Sequence, residues 1–345
     1  MELAHSADLC QPVRLDDPDK SMSRVLQRDQ GRYGTCYAQT AVQMYDAWRF
    51  SHGDKNKDFH TSGLMAAVMN VESSNEASRR VCINNKRNDC DVKYRTDIDG
   101  AYRSCNILNT IQSEGACSET TVLNYFDGHP EFTETYKLFN NAVFRKKMMR
   151  ATGAVTLDRN FKEFLKTDAC DIFAKEGLRL DRQDIQLLVE SMEKGDVIDI
   201  LSVFRRATCV GKNLKYSFYS KSYYRCYPDS AKDVKPLAVE IHRLLAQENA
   251  QPIGIDFCAN LLDRGRRYRG DMYGRTRDEN DCGMHAALII GQRRNPRTDR
   301  CEFLIRNSWG VDAQYSSDWE KSNGNVWVDG NDLINNSVHY YSLAK

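Results

Sequence analysis

Residues 30–38 read Gln-Gly-Arg-Tyr-Gly-Thr-Cys-Tyr-Ala, and the residues that follow have the apolar spacing of one helix face. The spacing i, i+3, i+4, i+7 and i+10 is met by Ala38, Ala41, Val42, Tyr45 and Trp48. We therefore predict a buried helix that begins at or just before Cys36. Unpaired N–H groups at a helix N-terminus favour a thiolate, so we expect a lowered pKa for Cys36. A helix cap or an inert buried cysteine is the alternative interpretation.

The composition is that of an ordinary globular protein, with 345 residues and 41% hydrophobic residues. The 49 Lys+Arg and 48 Asp+Glu nearly balance, which argues against nucleic acid or a membrane surface as the main partner. The longest clean apolar run, residues 286–290, is too short to span a membrane. The N-terminus lacks a basic region followed by an apolar stretch, and 35 residues precede Cys36. We therefore expect neither a signal peptide nor a prosegment in this sequence. Either the chain is a processed form, or its activity is controlled in another way.

Twelve cysteines are spread along the chain without a CxxC pair, and the seven histidines supply no HxxxH spacing. We therefore expect no metal site and no cofactor. Dispersed cysteines favour disulfides in an oxidising compartment, that is a secreted, periplasmic or lysosome-like location; buried thiols in the cytoplasm are the alternative. The expected local pairs are Cys209–Cys226 and Cys82–Cys90. If Cys36 is reserved for chemistry, at least one of the other eleven cysteines stays outside the intrachain disulfides.

Helical patterns come early in the chain and strand patterns come late, which predicts an α+β fold. A helix is expected over residues 102–112, closed by Gly115, and another from Pro236 to about Gln247. The expected strands are Ile253–Phe257, His285–Ile290, Glu302–Arg306, Asn325–Val328 and Val338–Ser342. From about 128 to 235 the chain is instead charged and helical, including a short helix over Val197–Arg206. This change in composition and pattern predicts a separate helical subdomain.

Two further motifs carry chemistry. His285 opens the apolar strand His-Ala-Ala-Leu-Ile-Ile, and Asn307 ends a second strand and begins Asn-Ser-Trp-Gly. Taken alone, His285 is more often a satisfied core histidine than a catalytic one. Together with Gln30 and Cys36, in this order, the motifs resemble those of the papain-like cysteine peptidases, whose pattern is Gln-x-x-x-Gly-x-Cys-(Trp/Tyr)-Ala, a His-Ala strand and Asn-Ser-Trp-Gly.

The resemblance implies a role for each of these residues. Cys36 would be the nucleophile, and His285 would take its proton and later protonate the departing amine. Asn307 would orient the imidazole. The side-chain amide of Gln30 and the backbone N–H of Cys36 would bind the oxyanion. Among the substrate contacts, Trp309 would also shield the imidazole–amide hydrogen bond from water.

The resemblance also implies a papain-like, two-lobed fold that is interrupted once. Cys36 and His285 are 249 residues apart, whereas about 130–150 is usual in the family. The excess of about 100–120 residues matches the separate helical segment. We predict a helical lobe with the nucleophile over residues 8–127, an inserted helical subdomain over 128–235 and a β-rich, antiparallel lobe over 236–345. The insertion either restricts access to the cleft or packs passively.

Two further substrate contacts follow from the resemblance. Gly100 would lie along the substrate backbone, and Ala286 would line the pocket for the second residue before the cleaved bond. The chain departs from the family at Tyr33, where a disulfide-bonded cysteine is usual, and Tyr37 replaces the usual tryptophan.

We predict a cysteine peptidase that acts on peptide or protein substrates, with a proteinaceous inhibitor as a further class of partner. Two alternatives use the same residues or fold. One is an acyl or glutaminyl transferase or deamidase, and the other is a non-catalytic papain-like binding protein. Nucleic acid and membrane are not expected partners.

Overall fold

The computed structural model describes residues 10–31, 34–56, 58–84, 98, 104–120, 183, 187, 197–209, 234–265 and 282–343. Helices dominate its first part and strands its last, so the expected α+β class is confirmed as helices combined with an antiparallel sheet. The two-lobed arrangement and the three domain boundaries remain predictions. Most of the expected insertion, together with Gly100 and the pair Cys82–Cys90, lies outside the described residues or side chains.

The helices within the described ranges are α1 (Cys36–Ser51), α2 (Gly63–Asn84), α3 (Ser104–Glu114), α4 (Val197–Cys209), α5 (Val234–Leu245), α6 (Asn260–Arg264) and α7 (Gly330–Asn335). The prediction that a helix begins at Cys36 is confirmed. α3 begins two residues later than expected, and it ends where the N–H of Gly115 bonds the carbonyl of Ile111. α5 begins two residues before Pro236.

The strands are β1 (Val13–Arg14), β2 (Ile253–Cys258), β3 (Met284–Arg294), β4 (Cys301–Arg306), β5 (Glu320–Ser322), β6 (Asn325–Asp329) and β7 (Ser337–Ser342). They form one antiparallel sheet in the order β5-β6-β4-β3-β2-β7, and β1 adds to β3. β2, β3 and β4 are the central strands, and apart from the exposed Met284 at the start of β3 their large apolar side chains are almost completely buried.

Helix α1 is buried on nearly all sides, because it contacts α2, α3 and strand β3. Its alanines and bulky apolar residues account for most of this burial, and two buried charges on it are paired. Arg49 bonds Asp46 at 3.0 Å, and Asp46 also accepts from the N–H and hydroxyl of Thr61. Burial of these charges is tolerable only because each has a partner. The helix is thus a fixed support for the residue at its N-terminus.

Three disulfides join described cysteines: Cys10–Cys301, Cys117–Cys209 and Cys258–Cys282. The expected pair Cys209–Cys226 is wrong, because α4 packs against α2 and brings Cys209 to a residue distant in sequence rather than to its neighbour along the chain. Arg205 on α4 also pairs with Glu72 on α2 at 2.7 Å. Cys36 and Cys105 are thiols, which agrees with the expected surplus of at least one cysteine.

Among the described residues, no helix combines the length and the hydropathy that crossing a bilayer would require.

Candidate functional site

Cys36 lies where the N-terminus of α1 meets the sheet. The residue is half-buried, and its sulfur accepts a hydrogen bond from the backbone N–H of Ala286 in β3. The N–H of Tyr37, in the first turn of α1, makes a further contact of the same kind. The thiol is therefore placed directly beside the strand that carries His285, the residue next to Ala286.

His285 and Asn307 form the second part of the site. His285 is the second residue of β3, and Asn307 directly follows β4, the neighbouring strand. Nε2 of His285 lies 2.6 Å from Oδ1 of Asn307, and the Asn307 side chain is fully buried. The main-chain carbonyl of Asn307 accepts from Gln27 Nε2 at 2.7 Å, which fixes this residue from the N-terminal side of the chain.

The contacts of Asn307 determine the tautomer of His285. The backbone N–H of Ser308 donates to Asn307 Oδ1 at 2.8 Å, and an N–H can only donate. The same atom is therefore the amide oxygen, and Nε2 of His285 must donate its own proton to it. Nδ1 then carries the lone pair and is the nitrogen that can accept a proton.

Aromatic rings enclose the imidazole. The Trp309 ring centroid lies 5.0 Å from that of His285, and Phe257 meets His285 edge-on at 5.9 Å. Tyr315 stacks on Trp309 and bonds the carbonyl of Gly324 with its hydroxyl at 3.2 Å. These rings limit the access of water to the hydrogen bond between His285 and Asn307.

Burial changes the pKa values of both reactive groups. It lowers the pKa of His285 to about 4, although the hydrogen bond to Asn307 acts in the opposite direction. Burial also raises the pKa of the Cys36 thiol. The N–H groups of Ala286 and Tyr37 lower this pKa, but by less, and the negative charge of Asp256 raises it further. The expectation of a lowered Cys36 pKa is therefore wrong for this structure. Desolvation outweighs the helix N-terminus, and the pair is neutral at rest.

Gln30 approaches the same region through Ser308. The hydroxyl of Ser308 donates to Gln30 Oε1 at 2.5 Å, and the N–H of Gln30 donates to the Ser308 carbonyl at 2.8 Å. Because the side-chain oxygen of Gln30 is bound to Ser308, its NH₂ group is the end that turns away from Ser308. An NH₂ group held in this way can serve as a fixed hydrogen-bond donor.

Residues 28–30 and 308–310 form a short antiparallel pairing, called here the 28–30/308–310 pairing. Asp29 and Trp309 are bridge partners, and the N–H of Gly310 donates to the Arg28 carbonyl at 3.0 Å. Gly310 has φ +77°, and a Cβ there would lie 2.9 Å from Asp29 Oδ2. A glycine is therefore required at this position for the two segments to come together.

The structure places several of the expected site residues in contact in pairs. Cys36 contacts Ala286, His285 contacts Asn307 and Trp309, and Gln30 is joined through Ser308 to the residue after Asn307. Gly100 lies outside the described residues.

Two residues of the site were missed from the sequence. Ser308 stands inside the Asn-Ser-Trp-Gly motif, so its polar side chain between two assigned residues was an available indication. Asp256 interrupts the apolar strand Ile-Gly-Ile-Asp-Phe-Cys, and a carboxylate in such a strand was an available indication for this second residue.

No protein-family model and no curated protein matches this chain. Among solved structures it is similar to xylellain, a cysteine protease from Xylella fastidiosa, at 15% identity and a TM-score of 0.43, over 97% of this chain and 85% of that one. A structure from a study of the mite allergens Blo t 1 and Der p 1 matches at 15% identity and a TM-score of 0.42, over 99% and 73%. The proform of the ragweed pollen cysteine protease Amb a 11 matches at 12% and 0.42, over 99% and 68%.

Proposed function

We propose that this protein is a cysteine peptidase that hydrolyses peptide bonds through Cys36 and His285. The observation that carries the proposal is the hydrogen bond from His285 Nε2 to Asn307 Oδ1, which leaves the lone pair on Nδ1 of His285. The Cys36 sulfur contacts Ala286, the next residue of the same strand. We infer that the Cys36 thiol reaches this oriented imidazole, which is the arrangement required for nucleophilic catalysis.

The reaction begins with the neutral pair. The Cys36 proton passes to Nδ1 of His285, which produces a thiolate and an imidazolium side by side with no change in net charge. Burial penalises either charge alone, but the two opposite charges stabilise each other. The thiolate then attacks the carbonyl carbon of the peptide bond, and the carbonyl oxygen becomes an oxyanion.

The Gln30 side-chain NH₂ and the Cys36 backbone N–H are the proposed donors to this oxyanion. The imidazolium of His285 protonates the amine as the C–N bond breaks, and a thioester to Cys36 remains. Water then attacks the thioester while His285 takes its proton, and the peptide acid leaves as the thiol re-forms. Trp309 and Ala286 are proposed to contact the substrate, as is Gly100.

The experiment is cleavage of a diverse peptide library by the wild type and by Cys36→Ala. Loss of cleavage in folded Cys36→Ala, with activity retained in Cys105→Ala, is the expected result, because Cys105 is a buried thiol in the first turn of α3. An epoxide that traps thiolates should label Cys36. Label on Cys105 with Cys36 unmodified would contradict the proposal.

Products distinguish hydrolysis from the other reactions of such a site. In H₂¹⁸O, peptide hydrolysis puts one ¹⁸O atom into the new carboxylate at the cleavage point. Conversion of glutamine to glutamate without chain cleavage would indicate a deamidase instead, and capture of an added amine would indicate a transferase.

We also propose that the protein acts in an oxidising compartment such as the cell exterior, on peptide or protein substrates. The three disulfides between described cysteines support this location, because such bonds persist where thiols are not kept reduced.

A further inference from the structure

Asp256 is a carboxylate in the middle of an otherwise apolar strand. Its neighbours Ile255 and Phe257 in β2 are fully buried, whereas 9% of Asp256 is exposed. An acidic group in such a strand costs free energy unless its charge is used or compensated. Solvent reaches the strand at this side chain.

The sheet register places Asp256 close to the nucleophile. Asp256 lies directly opposite Ala286 on β3 and opposite His339 on β7, so all three side chains share one face of the sheet. Directly opposed Cα atoms in antiparallel strands are about 4.5–5.5 Å apart. Since the Cys36 sulfur bonds the N–H of Ala286, the carboxylate stands about one strand spacing from the residue that the thiol touches.

Fixed contacts hold the carboxylate. Oη of Tyr341 lies 3.4 Å from Asp256 Oδ1 and 2.5 Å from the hydroxyl of Ser104, at the start of α3. Nδ1 of His339 lies 3.7 Å from Asp256 Oδ2. Gly254 lets the Tyr341 ring lie flat here, because a Cβ on Gly254 would stand 1.9 Å from a ring carbon. The negative group is therefore positioned before any substrate arrives.

We propose that Asp256 is a specificity-determining residue that selects substrates with an arginine or lysine side chain near the scissile bond, at a position such as the second residue before it. This inference rests on the proposed peptidase function and names the class of its substrates. Long basic side chains suit the position, because their apolar stems can pack along apolar residues while the charged end reaches the carboxylate. Arginine also matches the geometry of a carboxylate with paired N–H groups.

The same contact would assist the reaction. Burial is the main cause of the raised pKa of Cys36, and the negative charge of Asp256 is a further cause. A cationic side chain bound at Asp256 offsets that negative charge and makes the thiolate easier to form. The preferred substrate thus lowers the cost of activating the nucleophile that attacks it.

The test compares peptides that carry arginine or citrulline at each position around the cleaved bond, starting at the second residue before it. Citrulline has nearly the shape of arginine without its charge. We expect kcat/KM of the wild type to be about 10- to 100-fold higher for arginine at one position, the usual range for a hydrogen bond to a charged group. In Asp256→Asn, which keeps the side-chain shape, this ratio should fall to within about threefold of unity.

Asp299→Asn is the matched control. It also removes one negative charge, but its carboxylate is 83% exposed, between β3 and β4, where it pairs with Arg294. This variant should keep the arginine preference. Any general effect of Asp256→Asn on the thiol changes both rates and cancels in the ratio.

The outcomes separate the two proposals. Cleavage of peptides by the wild type without a preference for arginine would overturn the role of Asp256 alone, as would a preference that survives in Asp256→Asn. A wild-type ratio near unity overturns the role of Asp256 even if Asp256→Asn fails to fold. If the folded wild type cleaves no peptide at all, the proposed peptidase function fails, and the substrate class fails with it.

Discussion

Replacement of Ser308 by alanine tests whether the Gln30 amide is held in a productive orientation. The Ser308 hydroxyl is the donor to Gln30 Oε1, and Ser308 is almost completely buried. Without the hydroxyl, the oxygen and nitrogen of the Gln30 side chain can exchange places. In the exchanged orientation an oxygen faces the position of the oxyanion and repels it.

The size of the effect follows from the strength of the lost bond. A neutral hydrogen bond contributes about 0.5–1.5 kcal/mol, which corresponds to a change of about 2- to 12-fold in the population of one orientation. We therefore expect kcat to fall by about 2- to 10-fold in Ser308→Ala, with little change in KM. Gln30→Ala removes the donor completely and should cost about 100- to 1,000-fold.

Steady-state kinetics of a double-mutant cycle provides the measurement. In a Gln30→Ala background, the added Ser308→Ala change should have almost no effect, because no amide remains to be oriented. Ser23→Ala, which removes an exposed hydroxyl bonded to the Lys20 carbonyl, is the control and should leave kcat unchanged. An equal loss from Ser308→Ala in both backgrounds would refute the reasoning, and so would no loss in the wild type.

Three further predictions concern the base, the pairing and a disulfide. Since His285 must be neutral to accept a proton and its pKa is about 4, kcat/KM should stay level down to about pH 4 and fall below it; a decline centred near 6.5 in a pH–rate profile would contradict this. Gly310→Ala should lower both activity and the melting temperature, because φ is +77° and the new Cβ meets Asp29; unchanged calorimetry would exclude the strain. Loss of the Cys117–Cys209 disulfide in a double alanine variant should cost about 2–5 kcal/mol in denaturant unfolding, and an unchanged midpoint would argue against this bond in solution.

Two kinds of apolar pattern made elements predictable from the sequence. The helix that begins at Cys36 was found from the helical spacing of its apolar residues, and the central strands β2, β3 and β4 were found within a few residues as short apolar runs. Helix α2 was not found. Residues 64–71 of this helix are all buried and all but one are apolar, so they show no period that distinguishes a helix from a buried strand.

Long-range partners were less predictable than the elements themselves. The pairing of Cys117 with Cys209 depends on the packing of α4 on α2, which local spacing does not reveal. The direction of the Cys36 pKa shift was also wrong, since the helix N-terminus is visible in the sequence but the depth of burial is not. The same limit hid Asp256, whose importance depends on its register against Ala286.

A single helix supports both the nucleophile and the proposed oxyanion donor. Cys36 begins α1, and Asp46 lies ten residues later on the same helix, where it accepts a hydrogen bond from Arg28 at 3.4 Å. Arg28 also donates to the Thr61 carbonyl at 2.9 Å, and its own carbonyl receives the N–H of Gly310. Removal of one member of a buried ion pair typically costs about 3–5 kcal/mol, so loss of this connection would be strongly destabilising. The buried charges of α1 therefore connect the helix that begins at Cys36 to the segment that carries Gln30, and this connection is a physical reason for charged residues in a helix whose buried side chains are mostly apolar.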